Sequence, residues 1–198
     1  ERLKDDEGTI ADGIRESTVL FADIVGFTAL SEKMSPDETL RLMDEIFSRF
    51  DDLVEKFGLE KIKTIGDAYM LAGGLPEPSK DHAQAVAEMA FSMLREIEVI
   101  SHARGHELQL RIGMSTGPVV AGVIGRKKFL YDLWGDTVNT ASRMESLGRP
   151  GRIQVSERTH ECLKDRYRFE GPRTIDVKGK GAMTTWFLEG PVGSGDVS

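Results

Sequence analysis

The sequence predicts a single α+β domain, and three observations support this. The chain has 198 residues, of which 39% are hydrophobic and 30% charged, and this length and composition suit one globular core. Short apolar runs typical of buried strands alternate with two long stretches whose apolar residues recur at helical spacing. Segments rich in glycine and proline separate these elements. We therefore expect helices packed on an antiparallel sheet.

The first part of the chain predicts the order strand, helix, hairpin, helix, strand. The first helix has the clearest start, because Ser35 and Glu38 form a capping box with Pro36 at the first helical position. The expected elements are a strand at 17–23, a helix from 36 that ends at 58, strands at 59–64 and 68–72, a helix at 81–101 and a strand at 108–115. This β-α-β-β-α-β order is that of a ferredoxin-like core, with both helices on one face of an antiparallel sheet.

The rest of the chain predicts a C-terminal α/β extension of that core. The expected elements are strand-like segments at 118–124 and 129–133, a helix at 137–147, a strand at 153–155, a helix at 156–164 and a hairpin of 174–177 with 184–188. Residues 1–14 carry little pattern and are interpreted as a lead-in segment. Residues 191–198 are rich in Gly and Ser and predict a flexible tail. The main domain is thus expected at 15–190.

Composition excludes several classes of partner. The net charge is −7 and no basic stripe with interleaved aromatics occurs, so we expect no binding to nucleic acid. No apolar run approaches the about 18 residues needed to cross a bilayer, so we expect no membrane contact by this fragment. Cys162 is the only cysteine, which excludes an intrachain disulfide and suits the cytoplasm. The chain has neither an initiator Met nor a signal peptide, and we interpret it as part of a longer protein.

Two apolar runs that predict strands each contain one aspartate at or near the strand end. Asp23 lies in Phe-Ala-Asp-Ile-Val-Gly and Asp67 in Thr-Ile-Gly-Asp-Ala-Tyr. Carboxylate oxygens are the ligands that Mg²⁺ and Mn²⁺ prefer, and phosphate-handling sites commonly hold these ions with one or two carboxylates. The alternative is that each aspartate only serves a turn. Asp23 favours the metal site, because a charge inside an apolar run is costly without a partner.

The helix expected at 137–147 carries a second pair of polar residues. Asn139 and Arg143 are four apart and share one face. An amide can orient a sugar and a guanidinium can bind phosphate through two hydrogen bonds, although an ordinary solvated helix face would look the same. Lys178 and Lys180, in the Gly-rich hairpin turn, are either phosphate ligands or surface lysines. Residues 113–117 match G-x-S-x-G, but the β-like segment after them argues against the strand-to-helix turn of a hydrolase.

Five motifs together resemble the catalytic domain of class III nucleotidyl cyclases, over about residues 15–190. They are Phe-Ala-Asp-Ile-Val-Gly-Phe-Thr at 21–28, Lys-Thr-Ile-Gly-Asp-Ala-Tyr at 63–69, Gly-Pro-Val-Val-Ala-Gly at 117–122, Trp-Gly-Asp-Thr-Val-Asn-Thr-Ala-Ser-Arg-Met-Glu-Ser at 134–146 and Val-Lys-Gly-Lys-Gly at 177–181. The resemblance implies a metal set of Asp23, Asp67 and the carbonyl of Ile24, which would hold two divalent cations, Mg²⁺ or Mn²⁺. It implies a ribose-orienting role for Asn139 and a transition-state role for Arg143.

The resemblance also implies the substrate and the assembly. Arg111 and Lys178 align with phosphate-binding positions. Adenylate cyclases resemble this chain in having Lys63 and Asp132, where guanylate cyclases usually carry Glu and Cys, so ATP is the expected substrate. In this family two domains form a head-to-tail dimer that shares each site. The resemblance implies that one domain gives Asp23, Asp67 and Arg111 and the other gives Lys63, Asp132, Asn139, Arg143 and Lys178. Because one chain holds both sets, we expect a homodimer. Similar domains are often joined to membrane helices, which would place this one on the cytoplasmic face. A guanylate or mixed cyclase, and a nucleotide-binding regulatory module without turnover, remain alternatives.

Overall fold

The computed structural model describes residues 2–4, 10–124 and 130–193. In chain order the elements are β1 (Arg2–Lys4), β2 (Ile10–Ile24), α1 (Phe27–Ser31), α2 (Pro36–Phe57), β3 (Glu60–Ile65), β4 (Ala68–Gly73), α3 (His82–Arg104), β5 (Leu110–Ile124), β6 (Leu130–Trp134), α4 (Asp136–Ser146), β7 (Ile153–Ser156), α5 (Glu157–Leu163), β8 (Tyr167–Val177) and β9 (Gly181–Pro191). Within these ranges one sheet contains every strand, in the order β3-β4-β2-β5-β7-β9-β8, with β1 added to β2 and β6 to β5.

The two faces of the sheet carry different helices because side chains alternate along each strand. On β2, Leu20, Ala22 and Ile24 join a core cluster with α2 and α3. Val19 and Phe21 face the opposite side and pack in a second cluster that includes α4. This arrangement confirms the predicted α+β fold with α2 and α3 on one face, and it puts the side chain of every second β2 residue on the α4 face.

A glycine on β5 sets how closely α4 can approach the sheet. A Cβ atom at Gly113 would lie 2.0 Å from the backbone nitrogen of Glu145 and 2.6 Å from the backbone oxygen of Ala141. Real side chains do not tolerate such distances, so only glycine permits this contact. The C-terminal half of α4 therefore lies directly against the central strand β5.

The central strands are longer than the local patterns predicted. β5 is one strand that contains both expected segments and Pro118 between them. Proline cannot donate to a ladder, but the register of β2 shifts between Ile14 and Ser17, the residues paired with Val119 and Gly117. Pro118 thus lies opposite a β-bulge, where a ladder hydrogen bond is not required. Because the G-x-S-x-G match lies within this strand, the nucleophile-elbow interpretation is excluded by the structure.

Other differences also come from pairing between distant segments. β2 begins at Ile10, inside the expected lead-in, because this part of the strand pairs with the distal part of β5. The short helix α1 was not predicted, and β8 and β9 extend beyond the expected hairpin. The predicted strand start at Phe129 and the tail at 194–198 lie outside the described residues.

Candidate active site

Asp23 and Arg111 are direct neighbours on the two central strands, where β2 pairs with β5. Both side chains lie on the α4 face of the sheet. Nη2 of Arg111 lies 3.4 Å from Oδ2 of Asp23, and Nε of Arg111 donates to Oε1 of Glu145 on α4 at 2.8 Å. The guanidinium therefore joins a carboxylate of the sheet to a carboxylate of the helix.

Asp67 lies in the β3–β4 turn, close enough to Asp23 to alter its ionisation. Burial raises the pKa of the Asp23 carboxyl to about 6, and the negative charges of Asp67 and Glu145 act in the same direction against the opposing charge of Arg111. The pKa of Glu145 is also raised, chiefly by burial, although its hydrogen bond to Arg111 opposes the shift. Arg111 contacts two of these carboxylates, and Asp67 adds a third negative charge nearby, so the excess of negative charge favours a cation.

The expected metal ligands fit a divalent cation through their oxygen chemistry. Asp23 and Asp67 bring two carboxylates together, and Ile24 buries its side chain in the core, so it can offer only its backbone oxygen. Within the described ranges no three acidic, His or Cys side chains group closely enough to hold an ion alone. Oxygens from a substrate and from water would be needed to complete a coordination shell, as is usual for Mg²⁺.

Lys63 and Asp132 form a direct ion pair. Nζ of Lys63 lies 2.5 Å from Oδ2 of Asp132, and the two residues come from β3 and β6. Asp132 also accepts from the backbone nitrogen of Leu133 at 2.8 Å, which fixes the carboxylate. The structure therefore brings together the two residues on which the resemblance rests the expectation of ATP, as one donor and one acceptor side by side.

Asn139, Arg143 and Lys178 meet at a second place, in a cavity of about 470 Å³ between α4 and the β8–β9 turn. Lys180 holds this turn against α4. Its Nζ donates to Oγ1 of Thr140 at 2.9 Å and also pairs with Asp136. The cavity is thus lined by one amide and several cations, which suits an anionic ligand.

The structure separates these expected site residues into groups within one chain. Asn139 and Arg143 are exposed, whereas Glu145, two residues after Arg143, is buried against Arg111. Residues two apart on a helix point about 200° from each other, so α4 presents the two groups on opposite sides. Glu145 was not singled out from the sequence. Lys180 was, as a phosphate ligand or a surface lysine, but its contacts with α4 were not predicted. Glu145 stands in the Arg-Met-Glu-Ser motif, but no local pattern shows which arginine it would meet.

No helix in the described part of the chain is both long and apolar enough to span a bilayer.

Comparisons with known proteins identify the family. The family described as the adenylate and guanylate cyclase catalytic domain matches residues 11–190. An adenylate cyclase of Mycobacterium tuberculosis is 49% identical over 191 residues, which cover 96% of this chain and 43% of that protein. The receptor-type guanylate cyclase gcy-28 of Caenorhabditis elegans is 46% identical over 177 residues, covering 87% of this chain and 14% of that protein.

A solved structure agrees with these matches. The catalytic core of a rhodopsin-guanylyl cyclase with converted specificity, in complex with ATPαS, has a TM-score of 0.87 and 37% identity, and the match covers 91% of this chain and 98% of that chain. The chain spans less than half the length of the curated relatives named above. The fold, the family match, the two relatives and the solved structure agree with the expected resemblance, and the chain belongs to the class III adenylate and guanylate cyclase catalytic domains.

Proposed function

We propose that this domain converts ATP to 3′,5′-cyclic AMP and pyrophosphate. The observation that carries the choice of ATP is the pair formed by Lys63 and Asp132, whose Nζ and Oδ2 atoms lie 2.5 Å apart. Adenine offers N1 as an acceptor and its 6-amino group as a donor, so an ammonium and a carboxylate held side by side complement its edge. Guanine reverses this pattern, because its O6 accepts and its N1–H donates.

The reaction that these residues support is an in-line attack of the ribose 3′-hydroxyl on the α-phosphorus. The new O3′–P bond forms as the bond to pyrophosphate breaks, and the hydroxyl proton is released. The amide of Asn139 orients the ribose, and the guanidinium of Arg143 stabilises the charge that develops on the α-phosphate. Arg111 and Lys178 bind the remaining phosphates.

Asp23, Asp67 and the carbonyl of Ile24 are the residues that would hold two divalent cations, Mg²⁺ or Mn²⁺. When bound, such ions would supply activation of the 3′-hydroxyl and neutralisation of the triphosphate charge. Their fit rests on the surroundings of Asp23: burial, and after it the negative charges of Asp67 and Glu145, raise the pKa of its carboxyl, and positive charge is favoured at that place.

A head-to-tail homodimer is the assembly that the family resemblance implies, with each site divided between two protomers. One protomer would give Asp23, Asp67 and Arg111, and its partner would give Lys63, Asp132, Asn139, Arg143 and Lys178. Apolar side chains exposed on β5 and β6 favour self-association: Val120, Ile124, Leu130 and Trp134 are 44%, 53%, 65% and 37% exposed. Two copies related by a twofold axis would form two equivalent sites.

The test is product formation from ATP and from GTP, each with Mg²⁺ and with Mn²⁺, over a range of protein concentrations. Cyclic AMP as the main product, with specific activity that rises with concentration, is the expected result. Cyclic GMP as the main product would favour the second candidate, a guanylate cyclase. The similarity to the guanylate cyclase gcy-28 supports this candidate. Binding of nucleotide without any product would favour a regulatory module.

Sharing of the site has its own test. The variants Asp67→Ala and Arg143→Ala are each expected to be inactive, because each homodimer lacks one necessary group at both sites. In an equal mixture half of the dimers are heterodimers with one intact site, so activity should recover to about a quarter of the wild-type value. A mixture as inactive as its components would contradict the shared site.

A further inference from the structure

Arg143 and Glu145 are close in sequence but lie on opposite sides of α4. Arg143 is exposed and lines the cavity that it shares with Asn139 and Lys178. Glu145 is 9% exposed and accepts the Nε hydrogen of Arg111 at 2.8 Å. One turn of helix thus contacts two chemically different places.

The contact with Glu145 determines how Arg111 is oriented. A guanidinium is planar, so a hydrogen bond at Nε fixes the direction of its terminal nitrogens. In this orientation Nη2 lies at 3.4 Å from Asp23, beyond the best hydrogen-bond distance. Without Glu145 the guanidinium would be free to turn onto Asp23, the other carboxylate that it contacts. Arg111 would then be less available to an incoming phosphate.

We infer that Glu145 is a positioning residue for Arg111. In a dimer with two shared sites, Glu145 acts in one site and its neighbour Arg143 acts in the other. The inference rests on the proposed function, in which two protomers share each site. Arg111 then belongs to the site that takes Asp23 and Asp67 from the same protomer. Arg143 of that protomer belongs to the other site, so α4 contributes to both sites of the dimer.

A heterodimer with one intact site, called the live site below, separates the role of Glu145 from that of Arg143. A protomer with Arg143→Ala supplies Asp23, Asp67 and Arg111 to the live site. A protomer with Asp67→Ala supplies Asn139 and Arg143 to it. Both homodimers are inactive, so all activity comes from the heterodimer. Glu145→Gln, which keeps the size of the side chain and removes its charge, is then added to one protomer or to the other, and KM for ATP with Mg²⁺ and kcat are measured.

Glu145→Gln on the Arg143→Ala protomer is expected to raise KM roughly tenfold, the lower end of effects of outer-shell partners. The change in kcat should be small, because Arg111 binds phosphate in the ground state and in the transition state alike. The same substitution on the Asp67→Ala protomer should leave KM at the value of the parent mixture. On the Arg143→Ala protomer, Glu145→Asp keeps the charge but shortens the side chain by one methylene, and it should give an intermediate KM.

Two controls exclude loss of folding. Thermal denaturation of each chain shows whether the Glu145→Gln variant keeps a cooperative unfolding transition. If the transition is lost, the Glu145→Asp variant is compared in its place. Glu170→Gln removes another carboxylate paired with an arginine, since Oε2 of Glu170 lies 2.7 Å from Nη2 of Arg152, and it should leave KM unchanged.

Each outcome decides a different point. A rise in KM confined to the Arg143→Ala protomer supports the inference. Equal rises on both protomers, a rise only on the Asp67→Ala protomer, or no rise at all would overturn it while leaving the shared site intact. An inactive parent mixture, before any change at Glu145, would contradict the proposed shared site and with it this inference.

Discussion

Replacing Asp23 by Asn should stabilise the metal-free protein at neutral pH. Burial and two neighbouring carboxylates raise the pKa of Asp23 from 3.8 to about 6. A rise of about two units corresponds to about 3 kcal/mol between the two protonation states. The Asp23 side chain is 22% exposed, so solvent screening reduces this value, and we expect a gain of about 1 to 2 kcal/mol in the free energy of unfolding.

The direction in which pH changes the stability follows from proton binding to Asp23. Because its pKa is raised in the folded protein, Asp23 keeps a proton between about pH 4 and 6 that the unfolded chain has released. The free energy of unfolding of the wild type therefore falls as pH rises through this range and stays lower above it. Asparagine has no proton to lose, so the variant lacks this fall. The gain should be near zero at pH 4 and fully present at pH 7.5.

Urea denaturation with a chelator at pH 4 and at pH 7.5 measures this difference. Asp52→Asn, at an exposed position on α2, is the matched control and should change stability little at either pH. Adding Mg²⁺ at pH 7.5 should stabilise the wild type more than Asp23→Asn, since the variant loses a carboxylate ligand. A variant that is less stable than the wild type at pH 7.5 without metal would refute the claim that burial and the neighbouring carboxylates make the Asp23 charge destabilising.

Two further variants test the base site and the packing of α4. Lys63→Glu with Asp132→Cys should shift preference toward GTP, measured as the ratio of cyclic GMP to cyclic AMP from equal substrate concentrations. Unchanged preference for ATP would refute the role of this pair. Gly113→Ala should lower the free energy of unfolding by about 3 kcal/mol, because the new methyl group would collide with the α4 backbone at 2.0 Å. Gly13→Ala, where a Cβ meets nothing within 4 Å, is its control, and equal denaturation midpoints would contradict the close packing.

Local chemistry predicted α2 closely. Its capping box is present, with the Ser35 backbone nitrogen donating to Oε2 of Glu38 at 2.8 Å. The turn that carries Asp67 and the hairpin around it were also predictable, because glycine beside aspartate between two apolar runs is a local signal. Elements of this kind depend on residues that are neighbours in the chain.

The remaining features depend on residues far apart in the chain. The length of β2 was missed because its first half is held by pairing with β5 more than 100 residues later, as in Ile10 with Val123. The contact between Glu145 and Arg111 was missed for the same reason, since 34 residues separate the two. The residues alone suggested metal binding by Asp23, with a turn residue as the alternative. The role proposed for Asn139 came from the resemblance, because an ordinary solvated helix face would look the same in the sequence.

The β-bulge in β2 has a consequence for which insertions the domain can accept. From Ser17 to Ile24 the strand stays in fixed register with β5, so Asp23 faces α4 and Ile24 faces the core. One extra residue within that stretch would exchange the two faces, burying the carboxylate among apolar side chains and turning Ile24 outward. One extra residue before Ile14 would change only the pairing beyond the bulge. Variation in length is therefore tolerable before Ile14 and incompatible with the site between Ser17 and Ile24.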